Sequence, residues 1–164
     1  MPPAEFRAAM ARMAAAVKVV TSDGPAGRTG FTATAVCSVT DTPPRLLVCL
    51  NASSSSHPFV TGNGRFCVNV LPAGAEEVAQ GFGGGLPRED RFGRGSWLRS
   101  AQGQWMLEDA LAAFDCVITQ TLVSGSHSIF LADVVASHAR TGGGPMIYAD
   151  RDFTTIAPKV AQDA

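Results

Sequence analysis

The sequence predicts a mainly β protein, an antiparallel barrel or sandwich with a few short helices. Apolar runs of strand length recur along the chain, and turns rich in Gly and Pro separate most of them. Helical periodicity is confined to the N-terminus and to short stretches farther on. At 164 residues the chain is long enough to bury a sizeable core, and we expect a single domain.

The first predicted elements are a helix and a pair of strands. An apolar stripe after Pro2-Pro3 recurs at helical spacing and predicts an amphipathic helix, with the stripe as core or dimer contact. The Gly and Pro residues of 23–27 are typical of a tight turn between strands over 17–21 and 28–36. The apolar stripe consists of Phe6, Met10, Met13 and Val17.

The rest of the chain is predicted to form short strands and two small helices. Proline fixes its own backbone angle, so Asp41-Thr42-Pro43-Pro44 predicts another turn. We expect a helical turn over 58–64, a short helix over 75–82 and a mobile, glycine-rich loop over 83–96. The remaining strands are predicted over 45–50, 65–71, 114–123, 129–137 and 145–148.

Composition and charge exclude several classes of protein. Only 16% of the residues are charged and the net charge is -1, so no basic stripe is available to follow a nucleic-acid backbone. The low charge density favours a homo-oligomer, in which a partner subunit covers part of the surface. Arg7, Arg12 and Lys18 interrupt the N-terminal apolar run, which indicates neither a signal peptide nor a membrane span.

Four cysteines are widely spaced and form no C-x-x-C pair. Each lies among apolar neighbours, so we expect buried free thiols in a cytoplasmic protein rather than a metal site or a disulfide framework. They are Cys37, Cys49, Cys67 and Cys116.

Familiar catalytic motifs do not fit this chain. The glycine runs at 81–85 and 142–144 do not match G-x-G-x-x-G between a strand and a helix, which excludes a Rossmann domain. Walker A, H-E-x-x-H and G-x-S-x-G spacings and clustered metal ligands are also missing from the sequence. If the protein is an enzyme, a cofactor must supply the difficult chemistry.

Small side chains occupy a stretch that resembles a strand, where large side chains are expected. Thr32, Ala33, Thr34 and Ala35 fill a core poorly, and the run from 28 to 51 suits a flat ligand with a phosphate tail. The run GFTATAVCSVTDTPP at 30–44, with LVCLN at 47–51 and FCVNVL at 66–71, closely resembles the short-chain flavin reductases. The resemblance extends from Phe6 to Phe153 through matches at Ser54, Pro58, Gly62-Asn-Gly64, Arg91-Phe92, Gly125-Ser-His127 and Tyr148.

This resemblance implies a fold, an activity and partners. The fold is a split Greek-key β-barrel of the FMN-binding type, which dimerises and binds FMN or FAD near the subunit interface. The activity is hydride transfer from NADH or NADPH to the flavin, with FMN and NADH favoured, to supply a partner monooxygenase. Residues 1–164 then form a single flavin reductase-like domain, with an N-terminal helix over 1–16 and a loose tail over 157–164.

The resemblance also assigns site residues. Thr32 to Ala35 lie beside the flavin ring and ribityl chain, where small side chains let the backbone approach, and Ser38 and Val39 lie just beyond. An anionic phosphate needs donors and positive charge, which Asn51, Ser54, Ser55 and Arg91 supply. Phe82 covers the flavin or packs beneath the loop. His127 is the catalytic candidate near the nicotinamide, where Tyr148 and Arg151 are also expected.

Two departures and two alternatives stay open. Ala149 and Asp152 stand where the family commonly has an aromatic and a basic residue, which weakens the nicotinamide contacts at Tyr148 and Arg151. A flavoprotein of the same fold that passes electrons to a ferric or cobalt centre is one alternative. The other is a nonenzymatic binding module, for instance for single-stranded nucleic acid, although the 7% aromatic content offers few stacking faces.

Overall fold

The computed structural model describes residues 1–156, so the loose tail predicted over 157–164 lies outside the described residues. The fold is mainly β with short helices, as the sequence predicts. The helices are α1 Pro3–Ala11, α2 His57–Asn63 and α3 Glu76–Gln80. The strands are β1 Ala15–Ala16, β2 Lys18–Ser22, β3 Thr29–Ala33, β4 Val36–Asp41, β5 Pro44–Asn51, β6 Arg65–Val70, β7 Trp97–Arg99, β8 Trp105–Leu107, β9 Ala112–Ser124, β10 His127–Ala139, β11 Met146–Ala149 and β12 Asp152–Thr155.

A seven-stranded antiparallel sheet forms the body of the molecule, in the order β3-β2-β6-β9-β10-β5-β4. One buried cluster contains Phe31 from β3 and Val48 from β5, together with Phe66 and Phe130 from the middle of the sheet. Strands near opposite ends of the sheet therefore share one core, which requires the sheet to curl around it. A curled sheet with two unjoined edges is compatible with the split barrel that the family resemblance implies.

The chain passes from one edge of this sheet to the other at Thr34 and Ala35, which we call the seam. β3 pairs with β2 at one end of the sheet, whereas β4 pairs with β5 at the other, so the chain crosses between the edges here. The Val36 amide donates to the Thr34 carbonyl at 2.8 Å, which turns the backbone sharply. The single strand predicted over 28–36 is therefore too long, because β3 ends at Ala33 and Val36 already belongs to β4 at the opposite edge.

A second apolar cluster lies on the outside of the sheet. It includes Val19, Leu71, Phe82 and Met146, and it is covered by α3, the β7–β8 hairpin and a small sheet of β1, β11 and β12. The segment 83–96, predicted as a mobile loop, overlaps a π-type turn over Gly81–Gly85 and contains a 3₁₀ turn over Arg91–Gly93. The buried side chains of Phe82 and Arg91 connect these turns to β3 at Gly30.

The N-terminal helix is shorter and more exposed than the sequence predicts. α1 ends at Ala11 and buries none of its residues, and the side chain of Met13 beyond it is 62% exposed. An ion pair between Arg12 and Asp150 holds the end of α1 against the β11–β12 turn. The stripe is therefore not core within one chain, except for Val17, which is buried in the second cluster. None of the helices in residues 1–156 is long and apolar enough to span a membrane.

All four cysteines are free, but their environments differ. Cys67 and Cys116 are buried, whereas Cys49 is half-buried and Cys37 is exposed, so the prediction that all four thiols are buried is wrong for Cys37. Burial raises the pKa of the Cys67 thiol and raises the pKa of Cys116 to about 12. These two thiols stay protonated and serve as small apolar side chains of the core.

Candidate functional site

A cleft of about 440 Å³ opens at the seam, between the end of β3, the end of β5 and the glycine-rich turn at 81–85. Most of the residues assigned to the flavin by sequence resemblance lie in its wall. The wall residues are Phe31, Thr32, Ala33, Thr34, Ala35, Cys49, Leu50, Asn51, Ser54, Ser55, Phe82, Gly83, Gly84, Arg91 and His127. We call this the seam cleft.

The loop after β5 presents hydrogen-bond donors to one end of the seam cleft. The side-chain oxygen of Asn51 accepts from the amide and the hydroxyl of Ser53, both at 2.9 Å, which closes a tight turn. The Asn51 side-chain nitrogen has no hydrogen-bond partner among residues 1–156, so it is available as a donor. The Ser55 amide makes no backbone hydrogen bond within residues 1–156. This end of the cleft therefore suits an anion that accepts several hydrogen bonds.

Arg91 adds positive charge beside these donors. Its side chain is buried, with the residue only 7% exposed, and Nη1 donates to the Gly30 carbonyl at 2.7 Å. Within the described part of the chain, no carboxylate forms an ion pair with it. Burial lowers the pKa of Arg91, the charge of Arg88 lowers it further, and Glu89 raises it. A bound anion offsets the cost of burying this charge.

The seam backbone offers donors along the middle of the cleft. The amides of Thr34 and Ala35 donate to no other backbone group in residues 1–156. The Thr32 hydroxyl is already committed, because it donates to the Ala79 carbonyl at 2.6 Å and ties β3 to α3. Small side chains at 32–35 keep this part of the wall open. The arrangement fits the polar edge of a flat ring, whose acceptors meet the free amides.

Phe82 supports the wall from behind. The residue is 1% exposed, and its ring packs against Phe92 and Trp97 with centroid separations of 5.1 and 5.2 Å. Of the two roles considered from the sequence, this geometry matches packing beneath the turn rather than covering a ligand.

His127 lies at the rim of the seam cleft, beside Asn51 and the loop that presents the donors for an anion. It is the first residue of β10 and pairs in register with Asn51 of β5. Its Nδ1 lies 2.9 Å from the Ser126 hydroxyl, which orients the ring and leaves Nε2 free to face a ligand. The imidazole is exposed at this rim, so a second substrate can reach it from solvent.

A second cleft of about 460 Å³ adjoins the first. Thr32, Ala33, Thr34 and Gly83 line both clefts. The far wall of the second cleft is formed by Tyr148 and Phe153, whose ring centroids are 5.4 Å apart. Tyr148 therefore faces the second cleft from the side opposite the wall that the two clefts share, and it does not line the seam cleft.

Three residues assigned from the sequence lie outside both clefts. Ser38 and Val39 are exposed on β4, beyond the seam, and Ser38 lines a separate apolar pocket of about 420 Å³. Arg151 is exposed in the β11–β12 turn with a φ of 65°. These assignments remain predictions that the clefts of a single chain do not support.

The sequence missed several wall residues. The sequence around Cys49 and Leu50 is typical of a strand, and nothing in it indicates that these two residues border a ligand site. Gly83 and Gly84 could have been noticed, because a glycine run that matches no nucleotide-binding motif must have another structural reason.

Comparisons with known proteins agree with this geometry. Residues 10–157 match the family model described as flavin reductase like domain. The FMN reductase (NADH) RutF of Variovorax paradoxus is 50% identical over 157 residues, which cover 96% of this chain and 87% of that protein. The FMN reductase (NADH) RutF of Stutzerimonas stutzeri is 46% identical over 91% of this chain and 86% of its own length.

A solved structure extends the likeness to the whole fold. BorF, the flavin reductase component of a bacterial two-component tryptophan halogenase, superposes with a TM-score of 0.88 at 28% identity. The match covers 96% of this chain and 100% of that chain.

Proposed function

Because the chain belongs to the flavin reductase-like family, we propose that it is an NADH:FMN oxidoreductase that supplies reduced flavin to a separate monooxygenase. FAD and NADPH are the less favoured substrates. The observation that carries this proposal is the seam cleft, where a buried arginine that has no carboxylate partner among residues 1–156 lies beside free backbone donors. Relatives named FMN reductase (NADH) support the choice of FMN and NADH.

Different residues of the seam cleft bind different parts of the two substrates. Arg91, Ser55 and Asn51 bind the flavin phosphate, and the amides of Thr34 and Ala35 hydrogen-bond the ring. Bound FMN supplies a ring that accepts a hydride from NADH. His127 orients the nicotinamide carboxamide and holds a proton at Nε2. Since positioning of the two rings provides most of the rate, the protein needs no nucleophile.

The oligomer, the domain organisation and the location are part of the same proposal. A homodimer is supported by the exposed apolar stripe, in which Phe6 is 54% and Met10 is 44% exposed. Residues 1–164 act as a single flavin reductase-like domain. Free cysteines in the described chain favour a cytoplasmic location, where thiols stay reduced.

An anaerobic assay tests the proposed function. The purified protein is mixed with NADH and with FMN, FAD or riboflavin in parallel, and both NADH oxidation and flavin bleaching are followed. FMN is expected to be the best acceptor, and riboflavin to require higher concentrations because it lacks the phosphate. Absence of reduced flavin with all three acceptors would exclude the function. Bound flavin that survives gel filtration without exchanging would instead favour transfer to a ferric or cobalt centre.

His127→Ala is expected to slow flavin reduction about 100-fold, the usual contribution of a positioned acid or base. FMN affinity is expected to fall less than the rate, because the phosphate contacts are assigned to Arg91, Ser55 and Asn51, whereas His127 is the neighbour of Asn51 across the strand pair. Anaerobic stopped-flow reduction gives the rate, and flavin fluorescence gives the affinity. Ser126→Ala is the matched control and should produce a smaller loss of rate. Equal losses of rate and FMN affinity in His127→Ala would contradict the assigned role.

A further inference from the structure

We propose that Lys18 is a positioning residue of the seam, which fixes the peptide between Thr34 and Ala35 and strengthens its amide as a donor to the reduced flavin ring. The inference rests on the proposed function, because it assigns a ligand to that amide. Lys18 itself does not line the seam cleft, and it acts through the backbone of the seam.

Lys18 approaches the seam from the inner side of the curled sheet. It lies in β2 two residues before Val20, which belongs to the buried core, so the two side chains leave the same face of the strand. Lys18 lines the apolar pocket of about 420 Å³ together with Val68 and Phe114. From this pocket, Nζ donates to the Thr34 carbonyl at 3.4 Å.

The ammonium of Lys18 has few other partners. Within residues 1–156, the Thr34 carbonyl is its only hydrogen-bond acceptor, and no carboxylate forms an ion pair with it. Burial lowers the pKa of Lys18, whereas the nearby Cys37 raises it. A partly desolvated ammonium needs an acceptor to offset the loss of its hydration. The seam carbonyl therefore holds the ammonium in place, and the ammonium in turn holds the carbonyl.

The peptide between Thr34 and Ala35 carries the effect of Lys18 to the seam cleft. This peptide is trans, so its carbonyl and its amide point in opposite directions. The carbonyl accepts from Lys18 and, at 2.8 Å, from the Val36 amide, so the Ala35 amide faces away from the ammonium. Ala35 lines the seam cleft. Donors on the carbonyl oxygen polarise the peptide and make its N–H a stronger donor.

A stronger donor at Ala35 distinguishes reduced from oxidised flavin. A flavin ring that has accepted a hydride carries more negative charge than the oxidised ring. Both the polarised amide and the cation behind it therefore favour the reduced ring. Removal of the Lys18 charge weakens binding of reduced FMN more than binding of oxidised FMN.

Three variants test this inference by flavin binding without turnover. Lys18→Met keeps an unbranched stem and removes the charge, so the affinity for reduced FMN relative to oxidised FMN is expected to fall about fivefold, the factor of a charge that acts across one peptide. For a two-electron couple this factor corresponds to a midpoint potential of bound FMN about 20 mV lower. Lys18→Arg keeps the charge and should retain most of the ratio. Anaerobic calorimetry with each form of FMN gives the dissociation constants.

Arg45→Met is the matched control. Arg45 lines the same pocket, but its hydrogen bond is to the Asp133 carboxylate at 2.6 Å. The substitution removes an equal charge without touching the seam carbonyl, so the ratio of the two FMN affinities should stay near that of the wild type.

The amide resonance of Ala35 reports the same interaction in the absence of flavin. In protein labelled with ¹⁵N, Lys18→Met is expected to shift the Ala35 nitrogen upfield, because the carbonyl of that peptide has lost a charged donor, and Lys18→Arg should keep the shift near that of the wild type. An unchanged Ala35 resonance or an unchanged FMN ratio in Lys18→Met, or an equal fall of the ratio in Arg45→Met, overturns the inference. A protein that shows the Ala35 shift but neither binds nor reduces flavin would contradict the proposed function and leave the link between Lys18 and the seam supported.

Discussion

Arg91→Met is expected to weaken FMN binding about 10- to 100-fold, the range of a charge-assisted hydrogen bond, and to leave riboflavin binding nearly unchanged. Methionine keeps much of the buried volume but removes the charge at the end of the seam cleft. Riboflavin lacks the phosphate, so it has little to lose when the cation is removed. Titration of each flavin, followed by its fluorescence, gives the two dissociation constants.

Two controls separate phosphate binding from support of the fold. Arg91 also donates to the Gly30 carbonyl and to the Leu86 carbonyl at 3.2 Å, so thermal unfolding must show that the variant is folded. Arg88→Met removes a neighbouring arginine that stacks on Phe59 and does not line the cleft, and it should leave FMN affinity near that of the wild type. A loss of affinity that is the same for FMN and riboflavin would show that Arg91 supports the cleft without binding phosphate.

Local pattern was enough to predict most of the large sheet. β5, β6, β9 and β10 carry alternating or continuous apolar runs between turn residues, and each was predicted within a few residues of its observed bounds. β7 and β8 have only three residues each, which is too short for a period to emerge. The break between β3 and β4 at the seam could not be predicted either. It depends on how the whole sheet closes, and no local residue indicates it.

In the candidate site too, the sequence predicts individual residues but not the long-range contacts that position them. The family resemblance predicted Asn51, His127 and the small residues of the seam as site residues. The structure brings them together in one cleft. The burial of Arg91 could not be predicted, because it depends on a carbonyl 61 positions earlier in the chain. Ser38 follows Thr34 closely in the sequence, but the seam carries β4 to the other edge of the sheet, so the contact of Ser38 with the flavin stays a prediction.

Gly30→Ala is expected to destabilise the protein by about 3 kcal/mol, which corresponds to a melting temperature roughly 6 to 12 °C lower. A Cβ at position 30 would lie 2.5 Å from Phe82 Cε1 and 3.2 Å from the Val20 carbonyl oxygen. Phe82 cannot move away freely, because Phe92 and Trp97 enclose its ring. The strain must therefore shift β3 or the glycine-rich turn. Thermal and urea unfolding measure the loss.

The same substitution links stability to the site, because the Gly30 carbonyl is the acceptor that holds Arg91 at 2.7 Å. A displaced β3 moves that carbonyl, so FMN affinity should fall together with stability. Gly93→Ala is the matched control, since a Cβ there meets no atom within 4 Å. Trimming the clashing ring in Gly30→Ala/Phe82→Leu should restore part of the stability lost in Gly30→Ala. If Gly30→Ala and Gly93→Ala unfolded at the same temperature, position 30 would tolerate a Cβ. The close packing of β3 on Phe82 would then not be what holds Arg91 in the cleft.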